Sequence, residues 1–247
     1  MSKFFIALLT VFCLTGCTGF WTTETKEEVL LAKMEKAVDP EGIAHSWKTI
    51  TIKMQLKVPS QQLKMSVTGL YKFPDKSKAV AVMPGIPTVT QVFNGRQAWK
   101  ETAGLGIQMK TGIQLAFAKF ECRKTNPNLK LTEIYEKITL DPDLHQIGEF
   151  SCHKLICTLP VELKIAPTQL FVDNKEFLIR HSIENQLTEM GVVPVILNFS
   201  DYKIVNGIKT AMRVNMNMMG IKMVGKLLSV KVNEKIADSE FQLPKDK

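Results

Sequence analysis

The sequence predicts an α+β fold: one domain on a long, strongly curved antiparallel sheet of about 11 strands, with a few helices packed on one side. Three observations predict it. From residue 50 onward apolar residues alternate with polar ones over most of the chain, the period of half-buried strands. The alternation is interrupted over residues 111–136, where helical patterns take over. No linker, repeat or low-complexity stretch divides the chain, so residues 24–247 read as a single domain.

The first elements address the chain rather than fold it. Lys3 precedes an apolar run, Phe4 to Leu14, of signal-peptide length. A permanent span needs ~20 apolar residues. The run ends Leu14-Thr15-Gly16-Cys17, which resembles the bacterial lipobox. The resemblance implies that residues 1–16 are a lipoprotein signal peptide that is removed, and that Cys17 carries diacylglycerol through a thioether. It implies further that residues 17–23 are the lipidated cysteine and a tether. The polar stretch Thr18 to Thr23 reaches only about 20 Å when extended, which holds the domain close to the membrane. Several acyl chains anchor a protein stably. Thr18, rather than aspartate, follows the cysteine, which resembles sorting to the outer membrane.

Glu24 to Val38 reads as an amphipathic helix, with acidic residues in its first turn and lysines later. Asp39-Pro40-Glu41 reads as an N-cap with proline at the first helical position, opening a short helix to about Trp47. The period then changes to two. Ile50, Ile52, Met54, Leu56 and Val58 alternate with polar residues, as do Leu63, Met65 and Val67. Strands follow at 78–83, 88–93 and 98–101, with Asn94-Gly95 read as a two-residue hairpin turn. Helices are expected over Thr111 to Lys124 and Leu131 to Glu136. Strands return at 146–150, 152–159, 168–173, 176–187, 193–203, 208–219 and 221–233, and Asn206-Gly207 is a second hairpin signal.

Composition narrows the function. Lys and Arg number 32 against 24 Asp and Glu, a formal charge of +8. The lysines are spread singly along strands, unlike a nucleic-acid patch. A mildly basic surface suits anionic headgroups or acidic partners, though a solvated lysine face is the simpler account. Of the five cysteines, Cys13 leaves with the signal and Cys17 is the anchor. Cys122, Cys152 and Cys157 remain, an odd set whose pairing sequence does not reveal, and Cys152 and Cys157 point to opposite faces of one strand. No G-x-S-x-G, H-E-x-x-H, Walker or G-x-G-x-x-G motif is present. His145, Cys152, His153 and Cys157 do not read as a metal site, because adjacent strand residues diverge. Asp141-Pro142-Asp143 reads as a turn. The expectation is a protein without catalytic residues, metal or cofactor.

Four stretches carry a resemblance. Met83-Pro84-Gly85-Ile86-Pro87 ends a strand in a proline-glycine turn. The next strand carries Phe93-Asn94-Gly95, with Ala98-Trp99 following. Phe199-Ser200-Asp201-Tyr202 leads to Val205-Asn206-Gly207-Ile208-Lys209, and the chain closes with Asp238, Phe241 and Pro244. With Gly148 and Cys152, this arrangement resembles the LolA/LolB-like superfamily of outer-membrane lipoprotein-sorting proteins over residues 24–244. The resemblance implies a half-open β-barrel whose mouth is covered by helices, with an apolar cavity for acyl chains. It also implies an apolar residue on an early loop that touches the membrane, a place taken here by Ile86.

Twelve methionines are the other signal. Met216 and Met218 share a strand face with Val214, opposite Arg213, Asn215 and Asn217. Unbranched, polarizable side chains suit a cavity for variable chains, and Met54, Met65, Val214, Met216 and Met218 are expected to line it. Trp47, Trp99 and Phe117 are expected at its edge. The expected function is a monomeric, lipid-anchored protein of the bacterial envelope, facing the periplasm from the inner leaflet of the outer membrane. It would bind acyl chains of lipoproteins or other lipids without covalent chemistry. The alternative is a structural or sensory envelope lipoprotein that uses the same fold to bind a periplasmic protein partner.

Overall fold

The computed structural model describes residues 25–244. The lipobox, Cys17 and the tether lie outside the described residues. The chain begins with α1 (Lys26–Val38) and a 3-10 turn (Ile43–Ser46). The first half of the sheet follows: β1 (Thr49–Val58), β2 (Leu63–Lys72), β3 (Lys76–Met83), β4 (Ile86–Phe93), β5 (Ala98–Thr102) and β6 (Gly106–Lys110). Two helices come next, α2 (Gly112–Lys124) and α3 (Leu131–Ile134). The second half comprises β7 (Lys137–Ile147), β8 (Phe150–Thr158), β9 (Thr168–Asp173), β10 (Ile179–Thr188), β11 (Gly191–Val205), β12 (Ile208–Met218) and β13 (Ile221–Val232). A 3-10 turn (Asp238–Phe241) is the last element of the described residues.

All strands join one antiparallel sheet of 13, in the order β6-β5-β4-β3-β2-β1-β13-β12-β11-β10-β9-β8-β7. The first and last strands meet in the middle, and β6 and β7 are the free edges. The connection carrying α2 and α3 therefore runs from one edge to the other. The sheet exceeds the expected 11 strands in part because β6, an edge strand of five residues in which only Ile107 and Met109 mark the alternation, is not among the expected strands; β7 replaces the expected strand at 146–150 and begins earlier. The expected strand at 146–150 instead spans the turn between β7 and β8, where Gly148 has φ +59°.

Local chemistry explains most boundaries. Thr25 caps α1: its hydroxyl accepts from the Glu28 N–H at 3.2 Å, and the Glu28 carboxylate accepts from the Thr25 N–H at 2.7 Å. Asp39 caps the next turn four residues on, accepting from Ile43 N at 2.9 Å and Ala44 N at 2.8 Å, so the helix expected from Pro40 shrinks to one 3-10 turn. Asn206-Gly207 is the expected two-residue turn, with φ +50° and +84° and Val205 paired to Ile208. Asn94-Gly95 is not. It opens a four-residue loop in which the Asn94 side chain accepts from Arg96 N and Gln97 N. Asp141-Pro142-Asp143 forms a register shift inside β7 rather than a turn between elements.

Cross-strand rows show which face is which. Leu155, Leu170, Ser182, Leu197, Met216 and Met223 are register partners across six strands. At one end of this row Leu155 and Leu170 pack with Leu30 and Met34 of α1 and Phe117 and Phe120 of α2. The helices therefore occupy the same face as Met216. On the other half, Cys122 of α2 packs on Phe93 and Ala98. The opposite, outer face carries its own small core, where the C-terminal turn lays Ile236 and Phe241 on Trp99 and Val92.

Curvature follows from one contact. Lys100 of β5 and Glu189 at the β10–β11 turn form an ion pair at 2.5 Å. In a flat sheet these strands would lie about 38 Å apart at ~4.8 Å per strand. The sheet must curl around its helix-bearing face, giving the half-open barrel.

Candidate functional site

The concave face is the candidate site. Met54, Met65, Val214, Met216 and Met218 all lie on it and are half-buried. Their rows connect: Leu56 pairs with Met65 and Gly225, Gly225 with Val214, Met216 with Met223, and Met218 with Ile221 and Val195. Met54 joins through Val67 and Leu227. Arg213, Asn215 and Asn217 take the outer face by strand alternation. α2 reaches β4 and the Val161–Leu163 turn, while α1 reaches β7 and β12 and packs Val38 with Ile52 and Val230; the five methionine and valine positions belong to none of the buried clusters, and this stretch of the face is the candidate trough.

Gly225 sits at the floor of the trough. An added Cβ there would stand 2.7 Å from Val214 Cγ1 and 3.0 Å from Leu56 Cδ2. The two apolar side chains close over the missing side chain, and the floor is packed at this point.

One wall of the trough is polar, which sequence reasoning missed. Lys124 at the end of α2 donates to Glu184 of β10 at 2.7 Å and lies 3.0 Å from Glu121. Ser182 donates to the other oxygen of Glu184 at 3.2 Å. Burial opposes the Lys124 charge, but the Glu121 and Glu184 carboxylates outweigh it and raise the ammonium above its ordinary value. Burial pushes the adjacent Tyr135 hydroxyl up as well. The signal was present in the sequence: Ser182 and Glu184 occupy alternate positions in β10 that face inward. Only pairing with β9 and β11 shows that this face meets α2.

Ile86 is the first residue of β4, not part of the turn. Pro84-Gly85 forms the turn with Gly85 at φ +77°, and Ile86 pairs with Met83 and is 52% exposed. Phe117 lies in the helix core beside the trough. One expectation is corrected. Trp99 faces away from the trough, because Ala98 takes the inner position in β5 and Trp99 packs under Phe241. Trp47 packs beneath the Ile43–Ser46 turn against Ile50, Ile52 and Ile208, on the strand face that continues to Met54.

The three cysteines are free and buried. Burial pushes the Cys122 and Cys152 thiols up to about 11 and the Cys157 thiol to about 12, so none is primed as a nucleophile. Two clefts of about 320 and 300 Å³ lie elsewhere, one between the C-terminal turn and the outer face of β3–β5, the other between α2 and the Val161–Leu163 turn.

No protein-family model matches the chain, and no curated protein matches its sequence. Solved structures do match. The fold is similar to that of a LolA superfamily protein from Nitrosomonas europaea, with TM-score 0.57 and 13% identity over 89% of this chain and 99% of that one. It is equally similar to a DUF1329 family protein from Desulfovibrio piger, with TM-score 0.57 and 13% identity over 87% and 95%. A domain described as an outer membrane lipoprotein-sorting protein, from Vibrio parahaemolyticus, follows with TM-score 0.50, 13% identity and coverage of 85% and 94%. The chain thus has a LolA-like fold: a single curved antiparallel sheet with helices on its concave face. At this identity the likeness is one of fold.

Proposed function

We propose that this is a lipid-anchored protein of the bacterial envelope, held by Cys17 on the inner leaflet of the outer membrane and facing the periplasm. It accepts the acyl chains of lipoproteins or other lipids in the concave trough, in outer-membrane lipoprotein sorting or transport, with no covalent chemistry. The observation that carries this reading is the open run of half-buried methionines on the concave face. Apolar area contributes ~25 cal/mol per Å² removed from water, so an acyl chain laid along the trough gains affinity in proportion to its length, less the cost of ordering it. Methionine adapts to chains of different shape. The fold is compatible with this use, and Ile86 stands where an apolar tip meets membrane or acyl chain.

A second reading has its own support. The helix core fills one half of the concave face with side chains, as a sensory or structural lipoprotein binding a protein partner would. Photo-crosslinking separates the two. A benzophenone amino acid is placed at Met216 or at Asn215 on the opposite face, in cells exporting the full chain and fed labelled palmitate. Label captured from position 216 and not from 215 supports lipid binding. Capture of an unlabelled protein from 216 favours the second reading, and equal capture from both positions sinks the first.

A further inference from the structure

The antiparallel order places the β1–β2, β3–β4, β5–β6, β8–β9, β10–β11 and β12–β13 connections at one end of the barrel. Five of these six carry a large apolar side chain out in the open, in the connection itself or on the strand residue next to it: Ile86, Leu105, Val161, Met190 and Met219, each between 52% and 80% exposed. The connections at the other end are residues 73–75, 94–97, 148–149, 174–178 and 206–207; none of them contains a large apolar residue that is mostly exposed, and the exposed aliphatic nearest to them is Ile204, two residues before Asn206. Isolated exposed aliphatics are ordinary, but five of the six tips at one end form a patch, interrupted at the β1–β2 connection.

Charge is sorted along the same axis. The five adjacent strands β12, β13, β1, β2 and β3 contain no Asp or Glu. Toward the polar end their cations are neutralised by carboxylates from outside these strands: Lys72 and Lys76 by Asp238, Lys78 by Glu240, Lys209 by Glu176 and Lys231 by Glu234. Toward the apolar end, Lys57, Lys64 and Lys222 are exposed and have no ion-pair partner among the described residues, and the same holds for Lys53, Arg213 and Lys226 near the middle of their strands. Lys57, Lys64 and Lys222 lie within two residues of a strand end, about 7 Å of backbone from the tips.

We propose that this end of the barrel docks on an anionic lipid bilayer, with the five hairpin tips at the acyl–headgroup boundary and the unpaired cations over the phosphates. Aliphatic tips beside strands that end in unpaired lysines are the composition of an interfacial contact, and each lysine brought to an anionic surface strengthens binding about fivefold; of the carboxylates next to the tips, Glu189 is paired with Lys100, and Glu162 follows Val161. Docking in this pose sets the open end of the trough against the bilayer, so a chain moves between lipid and trough without crossing water. The proposal rests on the envelope address given above and not on the identity of the cargo.

The test uses the full chain reconstituted in vesicles of phosphatidylcholine, with or without phosphatidylglycerol, carrying brominated phospholipid. Leu105→Trp and Met190→Trp report on the rim, and Ile204→Trp, at an exposed site toward the opposite end, is the control. The rim tryptophans are expected to be quenched and blue-shifted on anionic vesicles, with the control unchanged. The variant Lys57→Gln/Lys64→Gln/Lys222→Gln should abolish the difference between anionic and neutral vesicles. Equal responses at rim and control, or rim tryptophans that stay in water, would overturn the proposal and leave the rim to a protein partner. Crosslinking from Met216 succeeds or fails independently of this result, so the cargo reading and the docking reading are separable.

Discussion

Phe241→Ala tests how the C-terminal turn is held. Phe241 is 2% exposed and packs on Trp99, which is 1% exposed, together with Val92 and Ile236. Replacing a buried phenylalanine by alanine costs about 3–5 kcal/mol, the sum of lost transfer energy and the cavity left behind. The same turn makes three ion pairs, Lys72 and Lys76 with Asp238 and Lys78 with Glu240. Their carboxylates are 58% and 44% exposed, so water screens them and they contribute little. The ring should therefore dominate. Urea unfolding of the full chain, followed by tryptophan fluorescence and far-UV circular dichroism, should show a loss of about 3–5 kcal/mol for Phe241→Ala. Asp238→Asn with Glu240→Gln should cost only a small fraction of that. A loss below about 1 kcal/mol for the ring variant, or an equal loss for the ion-pair variant, would refute the reasoning.

Three further outcomes are expected. Lys124→Met should destabilise by about 1–3 kcal/mol because it leaves the partly buried Glu184 without its ammonium partner, and Lys124→Met with Glu184→Gln should recover much of the loss; a double variant no better than the single would point to packing instead. Gly225→Val should cost about 1–3 kcal/mol and weaken uptake of a fluorescent fatty acid, since Val214 and Leu56 must move into the trough; unchanged uptake would mean that the floor is not the binding surface. Hydrogen bonds and the charges of Lys76 and Lys72 hold the Asp238 carboxyl down at about 2, below its ordinary 3.8. A depressed folded value stabilises the turn above about pH 4, and that contribution fades as pH falls from 4 toward 2. Asp238→Asn should remove this acid dependence from the Trp99 environment.

Much of the fold was legible in the residues. Period-two alternation located β1, β9, β12 and β13 closely and the start of β2, because one wet face and one apolar face write that pattern directly into sequence. It also put Val214, Met216 and Met218 on one face, since alternation is a local property. The elements that escaped are short or irregular. β6 is an edge strand of five residues with only Ile107 and Met109 to mark its apolar face, and the register shift in β7 breaks the alternation around Asp141. Asn94-Gly95 looked like Asn206-Gly207, but the Asn94 carboxamide closes a longer loop, and that choice depends on where β5 begins to pair.

The sequence by itself determined the class of fold, the helices at the start and middle of the chain, and the pattern of alternating strand faces, because these follow from local periodicity, caps and turns. Only the tertiary structure decided what each face meets. Trp99 turns outward under Phe241, Glu184 turns inward to Lys124, and Lys100 reaches Glu189 because the sheet curls through many strands. The same curling gathers five hairpin tips at one end and leaves the cations beside them without partners. Sequence records which residues share a strand face; strand order and curvature, set by contacts between residues far apart in the chain, decide which faces become core, trough or rim.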